Sequence, residues 1–240
     1  MILKPVFLKK YLLKCIFPFL TLGIILTLFG WIWGLFFAPG DLVQKEHVRY
    51  LYLHVPFSWG ALSCYFVMGV FSLIGIIKQL PQAHILSHSM GMVGFVLCLL
   101  SLLTGSIWGK PTWGAYWVWD ARLTSMAVLA LLYGGYLSII NAYDSVKKGR
   151  QAAAFLCVLG LLNLPLIKWS VTWWSTLHQP ASIMKFSKPS VDSAFLMPLL
   201  LSAFGLCFLC LSFMMMRAIT FLNERREKKQ SFKKVSVEIV

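Results

Sequence analysis

Acidic side chains are the scarcest feature of this sequence: 8 Asp and Glu stand against 22 Lys and Arg in 240 residues. Charged residues make up 12% of the chain and hydrophobic ones 59%, with a mean hydropathy of +0.76. A soluble globular domain carries about a quarter charged residues. So little charge cannot cover a water-facing surface, which excludes a soluble domain and leaves an integral membrane protein. The net charge of +14 does not signal nucleic acid, because the basic residues gather in the N-terminal arm, one interior loop and the C-terminal tail, as membrane orientation requires.

What the chain has in abundance is long apolar runs. The first, Cys15 to Phe37, exceeds the roughly 20 residues that cross the hydrocarbon, and it ends in WIWGLFFAPG with no small-residue cleavage site, so it reads as a retained helix. A polar loop, Ala38 to His54, leads to Pro56, where a second helix could start, and to the run Phe57 to Ile77. Further runs follow at Met90 to Ile107, from Asp120 to about Asn141, from Ala152 to about Trp169, and Ser193 to Met216. The expectation is an all-α bundle of six transmembrane helices. Residues 1–216 form its single membrane domain and 217–240 a basic cytoplasmic tail. Fifteen of the 22 Lys and Arg lie in the N-terminal arm, the second and fourth loops and the tail, leaving seven for the odd-numbered loops. By the positive-inside rule both termini are cytoplasmic and the odd loops face outward.

Tryptophan then breaks the symmetry. All ten lie at the outward ends or in the outward loops, whereas an interfacial aromatic belt occupies both membrane surfaces. The densest stretch is Trp108 to Ser125, WGKPTWGAYWVWDARLTS, where Trp108, Trp113, Trp117 and Trp119 present large flat faces. Such faces call for a flat ligand. Gly109 and Gly114 would let backbone approach its edge, or serve as turn residues.

Topology also sorts the five histidines. His84 and His88 fall in the inward segment KQLPQAHILSHS and read as solvated loop residues, since two histidines without a third ligand make a weak metal site. His47, His54 and His178 lie outward. Neutral imidazole is a common axial ligand to haem iron, and haem needs aromatic walls, cations for its propionates and nitrogen donors. The outward loops supply all three. Arg49 and Arg122 are the natural propionate partners, with Lys110 a weaker third. Arg122 reads equally as a snorkelling residue at the start of helix four. Asp120 precedes that helix and is either a plain N-cap or a partner that orients an arginine or histidine.

Other chemistries lack their residues. The cysteines, Cys15, Cys64, Cys98, Cys157, Cys207 and Cys210, all sit within or at the edge of apolar runs, which gives no disulfide framework. The covalent haem attachment pattern CxxCH is missing. No histidine pair lies mid-span as an electron-transfer cytochrome b would need, and no nucleophile stands beside a base, so no independent enzyme activity is expected. A permease moving haem across the bilayer is the alternative reading, but it predicts ionisable residues through the spans, and the charges here cluster at their ends.

The segment WGKPTWGAYWVWDARLTS resembles the tryptophan-rich WWD signature of the haem-handling membrane proteins of cytochrome c maturation. With the single-module length, the six runs and the segments YLHVPFSW and WWSTLHQPASI, the chain is similar to the CcmC family from Phe19 to about Met216. The larger CcmF and CcsA proteins share the signature but carry further helices and histidines. The resemblance implies haem b held transiently and without a covalent bond on the periplasmic face of the bacterial inner membrane. It maps the axial ligands onto His54 and His178 and the ring platform onto the four loop tryptophans. It further implies delivery to the haem chaperone CcmE, with the ABC transporter CcmAB and the small protein CcmD as partners.

Overall fold

A computed structural model describes residues 5–174, 176–178, 183, 188 and 190–238, with side chains from Val6 to Arg226. The rest of the last outward loop, including most of QPASI, lies outside the described residues, as do Met1 to Lys4. The described chain is helical: α1 Pro5–Ile32, α2 Leu51–Lys78, α3 Pro81–Trp113, α4 Ala121–Ile139, α5 Val146–Gly160, α6 Asn163–Trp173 and α7 Ser193–Glu238. A π turn, Trp33–Phe37, extends α1, and a short 3-10 helix, Glu46–Tyr50, leads into α2. Because α5 and α6 continue one another, they make a single span, Val146–Trp173, and six spans result.

Helix ends shift from those expected, and the shifts matter. α2 begins at Leu51, ahead of Pro56, so His54 is helical rather than in a loop. Pro56 lies inside the helix, where its missing N–H leaves the Tyr52 carbonyl without its intrahelical donor, and Trp31 Nε1 donates to that carbonyl at 3.0 Å instead. α3 begins at Pro81, so His84 and His88 are helical too, and His84 is buried against Gly75; they are not solvated loop residues. α3 also runs on through Trp113 to the left-handed Gly114 (φ 81°), whose N–H closes on the Lys110 carbonyl at 3.0 Å. Only residues 114–120 remain as loop, so Trp108 and Trp113 project from a helix. At the other end α7 passes through residue 217 without a break to Glu238, so the basic tail continues the last span.

Two antiparallel pairs, α1 with α7 and α2 with α3, make the two most extensive helix–helix interfaces. Between α1 and α7 the contact runs through glycine, as apolar helices in lipid require for close approach. A Cβ on Gly30 would stand 2.5 Å from the Ser202 amide nitrogen and 2.8 Å from the Pro198 carbonyl oxygen. In the centre, four tyrosines, Tyr52, Tyr65, Tyr133 and Tyr136, are fully buried. Polar atoms there find partners across helices: Tyr133 Oη donates to the Ala61 carbonyl at 2.8 Å, and the Ser72, Ser87 and Tyr136 hydroxyls form a chain at 2.8 and 2.9 Å. Tyr133 and Tyr136 thus have their hydroxyls bonded inside the bundle, as the hydrocarbon favours, whereas the buried Tyr52 and Tyr65 hydroxyls have no hydrogen-bond partner among the described residues.

Gly30→Ala is expected to cost about 1–3 kcal/mol, because backbone atoms cannot swing aside to admit a methyl group. Gly134→Ala, where the nearest atom is Phe95 Cζ at 3.9 Å, is expected to be close to neutral. Thermal unfolding in detergent compares the two.

Candidate haem site

Three helix ends meet at one end of the bundle: the start of α2, the last turns of α3 and the start of α4. His54, in the first turn of α2, packs against α3. Its Nδ1 lies 3.0 Å from the Ser101 carbonyl oxygen and 3.3 Å from Thr104 Oγ1. A carbonyl only accepts, so Nδ1 carries the proton and Nε2 keeps its lone pair. Around it, Ser58 Oγ donates to the His54 carbonyl at 2.9 Å and pairs with Ser101 Oγ at 2.6 Å. Gly105 completes the cradle, since a Cβ there would meet His54 Cε1 at 2.7 Å.

His178 arrives from the loop after α6. Its ring lies 6.5 Å from that of His54 between centroids, tilted by 40°, and 4.8 Å from Trp113. Its Nδ1 faces Asp120 Oδ2 at 3.9 Å, beyond hydrogen-bond range. Asp120 has two roles, because its other oxygen caps α4 by accepting from the Leu123 amide at 2.7 Å. Burial, then the Arg122 charge and the His54 ring beside it, pushes the His178 imidazole down to about 3. It therefore stays neutral at physiological pH, the state in which an imidazole binds a metal.

His54, His178, Trp113, Trp117 and Arg122 line one cavity together with Ser58, Ser101 and Gly105. Arg122 points into it rather than out to a membrane surface, and it makes no ion pair within 4 Å among the described residues. Trp117 is partly buried there, its Nε1 without a hydrogen-bond partner. The other expected residues are elsewhere. Trp108 packs edge-on against His54 at 5.8 Å and donates from Nε1 to Gln44 Oε1 at 2.9 Å. Trp119 is 81% exposed and touches Trp117. Arg49 does not line the cavity: it binds Glu46 at 2.5 Å and the Leu35 carbonyl. Lys110 binds the Gly114 carbonyl at 3.0 Å.

The donor set fits haem. First-row metals bind imidazole nitrogen at about 2 Å, which puts two opposed axial rings roughly 6 Å apart between centroids. His54 Nδ1 donates to a backbone carbonyl, the outer-shell arrangement of metal-binding histidines, whereas His178 Nδ1 has no hydrogen-bond partner among the described residues. The space does not yet fit, because the cavity holds about 40 Å³, room for a few waters at most.

Residues 3–233 match the family described as Heme exporter protein C. The chain belongs to the heme exporter protein C family. The match runs well into the basic tail. Relatives include the heme exporter protein C of Haemophilus influenzae, 43% identical across 80% of this chain and 78% of that protein. That of Escherichia coli strain K12 is 42% identical across 87% and 85%. A putative cytochrome c biosynthesis ccmC-like mitochondrial protein of Marchantia polymorpha is 38% identical across 81% and 79%. CcmC membership assigns the chain to haem handling in cytochrome c maturation, as a multi-pass membrane protein.

Sequence reasoning missed Ser58, Ser101, Thr104 and Gly105. Ser58 follows His54 by four residues, and Gly105 follows Ser101 by four. That spacing shares a helix face, a signal invisible while His54 was read as loop.

Gly105→Ala is expected to displace the His54 ring and weaken haem binding about 10- to 100-fold, the usual effect of disturbing an outer-shell partner, as measured by haem titration. The unfolded chain protonates His178 near pH 6.5 and the folded chain only near 3. The unfolded state therefore binds more protons between those values, and stability falls as pH drops through that window. Thermal unfolding from pH 7 to 4 is expected to show a shallower decline in His178→Gln.

Proposed function

We propose that this chain holds haem b, transiently and without a covalent bond, between His54 and His178, and passes it to the chaperone CcmE with CcmAB and CcmD as further partners. The nearness of the two imidazoles, 6.5 Å apart between centroids, carries this reading, with His54 Nδ1 engaged by the Ser101 carbonyl so that the lone pair is on Nε2, 3.5 Å from Ser58 Oγ. Trp113 and Trp117 form the flat walls, and Arg122 is the cation for a propionate. Arg49 is engaged elsewhere. Trp119, exposed at the rim, lies where a partner would approach a held ring.

The 40 Å³ between the rings requires movement on loading. His54 is fixed by the Ser101 carbonyl and the α3 backbone, whereas His178 sits on a loop, so the His178 side opens to take up the ring. The chain supplies positioning, a neutral ligand pair and a cation, and it forms no covalent bond itself. The distribution of Lys and Arg between the loops supports a site on the periplasmic face of the bacterial inner membrane, with both termini in the cytoplasm.

Purified protein is expected to show a six-coordinate haem spectrum that His54→Ala and His178→Ala each abolish, with affinity reduced at least about tenfold. Retention of that spectrum in both variants would disprove the ligand assignment. In spheroplasts, a membrane-impermeant thiol reagent is expected to label Tyr116→Cys and to leave Asp144→Cys unmodified.

A further inference from the structure

A second cavity lies at the end of the bundle opposite the candidate haem site. It measures about 410 Å³, ten times the space between His54 and His178. Its walls come from the end of α2, the start of α3, the start of α5 and the middle of α7. Lys147, Arg150 and Arg225 face it with one acid, Glu224, and none of the four makes an ion pair within 4 Å among the described residues. Arg150 and Arg225 are close enough to repel one another.

This placement is unfavourable twice over. The first turns of α5 carry Lys147, Lys148 and Arg150 and no acid, at the end where the helix dipole is already positive. Arg225 from α7 then adds a like charge across the gap. Glu224 is the one acid lining the cavity, so the cations outnumber it there, and a bound anion would offset the excess.

The other wall is apolar. Phe221 and Pro81 line it with Val146. The Phe221 ring is stacked on His88 at 4.4 Å and lies under the Arg217 guanidinium at 5.4 Å, while the partly buried Arg217 Nε has no hydrogen-bond partner. Val146, 54% exposed, presents apolar surface at the cavity, and Ile77, 64% exposed, does so at the end of α2, two residues before the lining Gln79. The cavity sits where α2 ends and the fifth span begins, at the level of lipid headgroups. Basic pockets between spans at that depth suit anionic headgroups.

We propose that this cavity binds the phosphate of an anionic phospholipid, with Arg150 and Arg225 holding the phosphate, Phe221 under the glycerol, and the acyl chains along Ile77 and Val146. The site is independent of the haem site and of the function proposed for it.

The full-length protein in neutral detergent tests this by thermal unfolding with added phosphatidylglycerol, phosphatidylcholine or inorganic phosphate. Phosphatidylglycerol is expected to raise the unfolding temperature, with apparent affinity roughly tenfold above that of phosphatidylcholine, and Arg150→Gln/Arg225→Gln to abolish the preference. Native mass spectrometry of the unaltered protein in micelles with equal amounts of both lipids is expected to show phosphatidylglycerol retained, a readout that does not depend on the variant folding. Equal stabilisation by the two lipids, or an undiminished preference in the variant, overturns the proposal. An equal effect of inorganic phosphate overturns the assignment to a lipid.

Discussion

The contact between His54 and the α3 backbone is the constraint on which the outer end of the bundle depends. In hydrocarbon a polar side chain on a span must find its partner inside the protein. Here the partner is a backbone carbonyl, that of Ser101 at 3.0 Å, and the absence of a side chain at Gly105 lets the ring reach it. One hydrogen bond thereby sets the tautomer, fixes the ring plane and locks α2 against α3. The N-cap bond to Leu123 holds Asp120 in place, and its other oxygen lies 3.9 Å from His178 Nδ1, outside hydrogen-bond range.

The two histidines differ in how firmly they are held. His54 belongs to the packed α2 and α3 pair, whereas His178 hangs from a loop and touches the site through Trp113. In the proposed haem-delivery role that asymmetry would let one ligand yield while the other presents the ring, and the neutrality of His178, enforced by burial and by the Arg122 charge, would leave no proton to displace.

The bundle separates two kinds of charge problem at its ends. At the haem end one cation, Arg122, points into a small closed cavity among aromatic rings. At the other end several cations face a larger space with a single acid. Positive charge flanking a span orients it in the membrane, but orientation alone does not require arginines to converge from α5 and α7 on one cavity. Their convergence is a tertiary fact with a ligand-shaped consequence.

Much of this was legible from residue order. The scarcity of charge, six long apolar runs and the one-sided tryptophans determined a membrane bundle with an aromatic outer end, because hydrocarbon selects composition and length residue by residue. The pairing of His54 with His178 came through the family resemblance rather than through spacing, since 124 positions of chain separate them. What the sequence left open is where each helix begins. Pro56 suggested a start that α2 precedes by five residues, and Pro81 begins a helix where a loop was expected, which buried His84 and made His54 helical. Only the tertiary structure decided that Arg122 faces the cavity while Arg49 is taken by Glu46 and Leu35, and that Asp120 both caps and faces a histidine. The reason is physical: composition and period report a residue's preference for lipid or water, whereas the direction of one side chain depends on which backbone atoms a neighbouring helix brings within 3 Å.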